Sequence, residues 1–183
     1  MNSLSYAILG ILSRKQQSGY ELGKHLEYIW AAKLSQIYPL LAKLEEKEYV
    51  TSFRVEQTGK PDKINYQITD LGIETLKSWL RKKPNKPVTR DEFLTKVFSL
   101  WLTDLDNAIM LLTERENDFS VKLEKIKNDL VTLEHENGAD MYNPSSIFFS
   151  RLILLKRRMR LCQDEVEWCQ WVLQLLSKVQ KPV

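Results

Sequence analysis

The stretch Leu34-Ser-Gln-Ile-Tyr-Pro-Leu-Leu-Ala-Lys-Leu-Glu-Glu-Lys-Glu-Tyr-Val50 decides how the chain is read. From Ser35 to Lys47 the residues Ile37, Leu40, Leu41 and Leu44 fall at i, i+3, i+4 and i+7, on one face of a helix. Ser35 is the candidate N-cap. Pro39 then stands at or just past the first turn, where a missing N–H costs least. Gln36, Tyr38 and Lys43 are left on the outer face. An amide, a phenol and an ammonium can bond to base edges and pair with phosphate, as a helix lying in a DNA major groove must.

Downstream of Tyr49 the period changes to two. Val50 to Gln57 is expected as a first strand, Thr58-Gly-Lys-Pro-Asp62 as a turn with Gly59 and Pro61 as breakers, and Lys63 to Ile68 as a second strand. In that strand Ile64, Tyr66 and Ile68 alternate with Lys63, Asn65 and Gln67. Thr69 caps a further helix to about Leu80, with Ile73, Leu76 and Leu80 inward. Upstream, Ser3 to about Arg14 reads as a helix with Leu4, Ala7, Ile8, Ile11 and Leu12 as its stripe. Lys15 to Ser18 is a polar connection. Ser18 and Glu21 make a capping box for a second helix to about Tyr28, with Leu22 and Leu26 inward, and Ile29 to Lys33 links it onward.

Three helices, a basic hairpin and a fourth helix within about 80 residues make a winged helix-turn-helix. Each piece alone is commonplace, because most amphipathic helices with a polar face are simply solvated; the order carries the inference. Gln36 and Tyr38 are the candidates for base-edge or groove contacts, with Ser35 and Tyr20 as donors to phosphate or sugar. Lys33, Lys43, Lys60 and Lys63 would supply charge to phosphates.

Four motifs, Ser18-Gly-Tyr-Glu-Leu, Ser35-Gln-Ile-Tyr-Pro-Leu-Leu-Ala-Lys-Leu, Gly59-Lys-Pro-Asp and Tyr66-Gln-Ile-Thr-Asp-Leu-Gly, resemble those of PadR-family transcriptional regulators in order and spacing. Arg90-Asp-Glu-Phe93 resembles the start of the C-terminal domain in that family's longer members. By motif the chain is similar to the phenolic-acid-responsive repressors and the virulence activators of the same layout. The resemblance implies a small aromatic, phenolic-type effector held between the winged helix and the C-terminal helices. Trp30, Arg90 and Trp101 are candidates to line that pocket, although tryptophans more often fill cores.

Arg81-Lys-Lys-Pro-Asn-Lys-Pro87 is basic and twice interrupted by proline, so residues 83–89 are expected as a linker between a DNA-binding domain, 1–82, and a helical domain, 90–183. Asp91 to Leu102 reads as a helix with Phe93, Leu94, Val97, Phe98 and Trp101 inward. Two long seams follow. Leu105, Ile109, Leu112, Glu116, Phe119, Leu123, Ile126, Leu130 and Leu133 alternate spacings of four and three, with Glu116 as the break. Phe148, Leu152, Leu155, Met159, Cys162, Val166, Cys169, Leu173 and Leu176 do the same without one. Such seams belong to helices packed at a shallow angle. Asn137 to Pro144 is the turn, so the pair is expected antiparallel.

Leu154, Leu161, Trp168, Trp171, Val172, Leu175 and Val179 widen the second stripe beyond what one partner helix covers. That surplus predicts a homodimer, with Phe148, Leu152, Leu155, Met159, Trp168, Trp171 and Leu175 at its interface. The basic run Lys156-Arg-Arg-Met-Arg160 is expected to be a solvated face paired with Glu114, Glu116, Asp118 and Glu124. Cys162 and Cys169 face the same way and read as small core residues rather than a redox pair.

The 183 residues are 43% hydrophobic and 28% charged, enough for one or two small domains with real cores. Residues 1–87 hold 14 Lys/Arg and 9 Asp/Glu, a net of +5; the remainder hold 13 and 15, a net of −2. A basic first half suits a nucleic-acid partner. No apolar run approaches the ~18 residues of a membrane span, and nothing at the start reads as a secretion signal, so a cytoplasmic protein is expected. No nucleophile–base pair, phosphate loop or Cys/His cluster with ligand spacing points to an enzyme, a metal or a cofactor. The leading expectation is a mainly α protein with a small β-hairpin: a dimeric repressor on a pseudo-palindromic double-stranded operator, released by a small aromatic effector. The alternatives are an activator that works through another DNA-bound protein without responding to ligand, and a winged-helix module for protein interaction.

Overall fold

A computed structural model of the chain describes residues 1–26, 32–56, 62–87 and 90–179, in two units, Met1–Lys86 and Pro87–Val183. In the first unit, α1 (Ser3–Leu12) starts at Asn2, whose side-chain oxygen accepts the Ser5 N–H at 2.9 Å. Its buried face is Leu4, Ile8, Leu9, Ile11 and Leu12. The connection after it is not merely polar: Gln17–Ser18 form a short strand, β1. α2 (Gly19–Leu26) begins as the capping box requires. The Ser18 N–H donates to Glu21 Oε2 at 2.8 Å, and the Glu21 N–H donates back to Ser18 Oγ at 3.3 Å. α2 buries Leu22 and Leu26.

α3 (Leu34–Glu46) buries Ile37, Leu41 and Leu44, with Leu40 partly covered. Lys33, not Ser35, is its N-cap, and the Gln36 side-chain oxygen accepts the Lys33 N–H at 3.1 Å. Ser35 is therefore already helical, and Pro39 sits inside the helix, where its ring nitrogen cannot donate to the Ser35 carbonyl. The helix stops at a left-handed residue, Glu48 (φ 57). The Glu48 N–H donates to the Glu45 carbonyl at 2.9 Å and the Tyr49 N–H to the Leu44 carbonyl at 2.9 Å, which satisfies two otherwise orphan acceptors.

β2 (Val50–Val55) and β3 (Lys63–Ile68) pair antiparallel, and β1 adds to the far side of β3, giving the order β1-β3-β2. Gln17 faces Tyr66, and Ser18 faces Asn65. The added strand explains why Asn65 and Tyr66 are both buried while Ile64 is exposed, which departs from simple alternation. α4 (Asp70–Leu80) is capped by Thr69, whose hydroxyl accepts the Gly72 N–H at 3.1 Å. Leu80, expected inward, is 67% exposed. Trp79 packs instead, its ring stacked on Tyr6 at 4.4 Å between centroids.

In the second unit, α5 (Glu92–Phe98) is followed by a 3₁₀ turn, Leu100–Leu102. The expected single helix thus breaks at Ser99, and Trp101 beyond it leaves the helical phase, while within α5 one side is covered and the other is not. Phe93 and Val97 are partly buried, but Leu94, Phe98 (84%) and Trp101 (79%) are exposed. α6 (Leu105–Asn137) and α7 (Ile147–Val179) run antiparallel, joined through a 3₁₀ turn, Gly138–Tyr142. Their seam buries Ala108, Leu112, Ile126 and Leu133 against Leu152, Leu155, Cys162 and Cys169. Glu116, the polar break, accepts a hydrogen bond from Gln170 Nε2 at 2.7 Å across the pair.

Two expectations need correction. Leu152 and Leu155, expected at a subunit interface, are already buried within one chain, and Phe148 and Met159 are partly so. Lys156, Arg157 and Arg160 are exposed, as a solvated face requires, but Glu124 pairs instead with Lys127 one turn along its own helix at 2.6 Å, and Glu116 accepts from Gln170. Burial raises the Cys162 thiol and pushes Cys169 up to about 11, as expected of core thiols. Among the described residues no helix is long and apolar enough to cross a membrane, and no group of three His, Cys, Asp or Glu could hold a metal.

Candidate nucleic-acid interface

The inner face of α3 is fixed by the core, so its outer face is fixed too. Lys33, Ser35, Gln36, Tyr38 and Lys43 are all exposed on it or at its cap. Tyr38 is 48% exposed and lies over the start of α2. A methyl group on Gly19 would come within 2.6 Å of Tyr38 Cε1 and 2.9 Å of Cζ. Only a residue without a side chain lets the phenol lie there. Tyr20, next along α2, is exposed and holds the Lys24 ammonium 4.8 Å from its ring centroid. Gln36 spends its carbonyl on the helix cap and keeps both amide hydrogens for another acceptor.

The hairpin approaches from the side. Lys63, at the foot of β3, reaches Glu21 of α2 at 3.2 Å. Glu21 already accepts the N–H and hydroxyl of Ser18, both at 2.8 Å. Those two bonds, together with the Lys63 ammonium, hold its carboxyl down at about 2. Arg54 on β2, which the sequence did not single out, donates from Nε to Asp62 at 2.7 Å with its guanidinium largely in solvent. Lys60 and Trp30, both named as candidates, lie outside the described residues, as do the end of the second helix and the hairpin tip. The structure brings Tyr20, Lys33, Ser35, Gln36, Tyr38, Lys43 and Lys63 onto one compact unit. The Lys63–Glu21 link escaped the sequence because 42 residues separate the partners. Arg90 and Trp101 are in the second unit, both exposed.

Two family models match this chain: the transcriptional regulator PadR-like family over residues 8–78, and the virulence activator alpha C-terminal family over residues 89–177. The negative transcriptional regulator PadR of Bacillus subtilis (strain 168) is 30% identical over 183 residues, spanning 97% of this chain and 100% of that protein. The chain belongs to the PadR-like family of transcriptional regulators. Among solved structures, Bacillus subtilis PadR in complex with operator DNA matches this PadR-like chain with a TM-score of 0.83 at 30% identity, over 96% of this chain and 98% of that one. Bacillus subtilis PadR in complex with p-coumaric acid matches with a TM-score of 0.74 at 29% identity, over 96% and 99%. The chain thus shares its winged helix and long helical pair with Bacillus subtilis PadR over 96% of its length.

Proposed function

We propose that the chain is a DNA-binding repressor that acts as a homodimer and leaves its operator when a small phenolic acid binds. The observation that carries this reading is the outer face of α3, where Gln36, Tyr38, Ser35 and Lys43 stand exposed beside the β2–β3 hairpin. These are the groups a helix needs to read base edges and hold phosphate. A second copy would set two such helices about one DNA turn apart, ~34–36 Å, on a pseudo-palindrome. The likeness to a regulator solved both on operator DNA and with p-coumaric acid supports the DNA partner and the effector class. An aromatic acid would shift the population toward a dimer whose recognition helices no longer match both half-sites. Arg90, with its cationic head, and Trp101, with its free ring face, are the described residues suited to a carboxylate and an aromatic ring.

The test is fluorescence anisotropy with the DNA upstream of the chain's own gene. Tyr38→Ala should weaken binding by about 1–3 kcal/mol and flatten the preference over unrelated duplex. p-Coumaric acid should lower the wild-type affinity and quench tryptophan emission. Binding that is equal on all duplexes and unchanged by Tyr38→Ala would sink the recognition-helix reading. The virulence-activator match over residues 89–177 favours a second reading, an activator indifferent to phenolic acids. A reporter driven by the upstream DNA separates the two by its sign.

A further inference from the structure

Lys63 cannot give its full charge to a phosphate while Glu21 holds it. The two side chains meet at 3.2 Å, and neither is deeply buried: Lys63 is 31% exposed and Glu21 42%. Glu21 is in turn fixed in place by Ser18, whose N–H and hydroxyl both donate to it at 2.8 Å, so the carboxylate cannot swing away without uncapping α2. Beside the pair lies a polar groove of about 570 Å³, lined also by Lys15, His25 and Gln67. Glu21 is the carboxylate among those lining residues, which otherwise carry two lysine ammonium groups, amides and an imidazole.

Resting on the DNA-binding reading above, we propose that Glu21 is an electrostatic brake on DNA affinity, holding Lys63 in an ion pair and placing a negative charge where phosphate would approach. A phosphate must either displace Glu21 from Lys63 or share the ammonium with it, and both weaken the contact. The brake acts on the sequence-independent part of binding, because phosphate contacts carry no sequence information. Glu21 is thus a positioning residue for Lys63 and not itself a contact.

Glu21→Gln separates the cap from the charge, since glutamine closes a capping box as glutamate does. The full-length Glu21→Gln protein should bind both its upstream DNA and a mixed-sequence duplex more tightly, by roughly two- to fivefold, the range measured for exposed ion pairs. The slope of log affinity against log salt should steepen by up to about 0.9, one further phosphate neutralised. In a Lys63→Ala background the same change should lose most of its effect, which a general gain of positive charge would not do. Equal or weaker binding by Glu21→Gln, with the wild type binding and the melting curve intact, overturns the brake and makes Glu21 a support for the wing. A wild type that binds neither duplex overturns the DNA-binding reading itself, and the brake with it.

Discussion

At Gly72 two backbones meet. A methyl group there would lie 2.2 Å from the Tyr49 carbonyl oxygen and 2.7 Å from Ile68 Cγ1. That same carbonyl accepts the Thr69 N–H at 3.1 Å, and the Thr69 hydroxyl donates to the Glu48 carbonyl at 2.7 Å. The start of α4 is therefore pinned onto the turn between α3 and β2 by backbone, which cannot yield as a side-chain tip would. Gly72→Ala should cost about 1–3 kcal/mol, the usual penalty of overpacking, read as a lower urea midpoint. An unchanged midpoint would remove the close approach. Residues that act through local chemistry were legible beforehand: Ser18 with Glu21, and Thr69, announce helix starts by type and spacing alone. Lys33 was not, because a lysine has no oxygen with which to cap; the bond that closes this start comes from Gln36, three residues on.

Arg115 ties three helices of the second unit together. Its guanidinium donates to Asp91 at 2.7 Å and to Glu165 at 2.8 Å, and lies 4.4 Å from the Phe93 ring centroid and 4.5 Å from that of Phe119. Asp91 is also the N-cap of α5, accepting the Phe93 N–H at 2.9 Å. Arg115→Ala would leave two carboxylates facing one another without a counter-charge and remove the plane between two rings. Amide exchange across residues 92–98 should then quicken by about tenfold or more, while α6 and α7 stay protected. Arg115→Lys should not restore it, since an ammonium lacks the two-pronged fork. No change in exchange would show α5 to be held by other contacts. At this scale the long seams of α6 and α7 were legible, because seven-residue spacing repeated over many turns leaves few alternatives. β1 was not: two polar residues carry no period, and only Asn65 and Tyr66 across the ladder make them a strand. α5 misled because Leu94 and Phe98 keep helical spacing yet stand on its exposed side, while Trp101 lies past the point where the helix ends.

Over the whole molecule, apolar surface is left without a cover inside one chain. Ile147, Leu154, Leu161 and Leu175 are exposed at multiples of seven along α7, with Trp168 partly covered in the same row. Such a row lies on a face the seam with α6 does not use. A monomer with this stripe in water is uncommon, and a second copy of the stripe is the simplest cover. Light scattering should give twice the 21.5 kDa of one chain. Leu161→Glu should bring the mass down to a single chain and lower affinity for a two-half-site duplex far more than for one half-site. A mass that stays at two chains would move the interface elsewhere. The sequence had announced the surplus, but it could not sort the residues. Leu152 and Leu155 have the same character as Leu154, and only the packing against α6 tells which are already spent.

The two cysteines of α7 carry one more consequence. Both sulfurs sit in the α6–α7 seam, and burial raises both thiols, Cys169 to about 11, which thins the thiolate that reacts. Cys169 is fully buried, so a thiol-directed reagent should reach it only when the helices part. Labelling becomes a clock for that separation: its rate counts openings of the pair, and any ligand or second copy that clamps the helices together slows the clock by the factor with which it binds. The chain thus comes with its own reporter at the centre of the unit proposed to govern dimerisation.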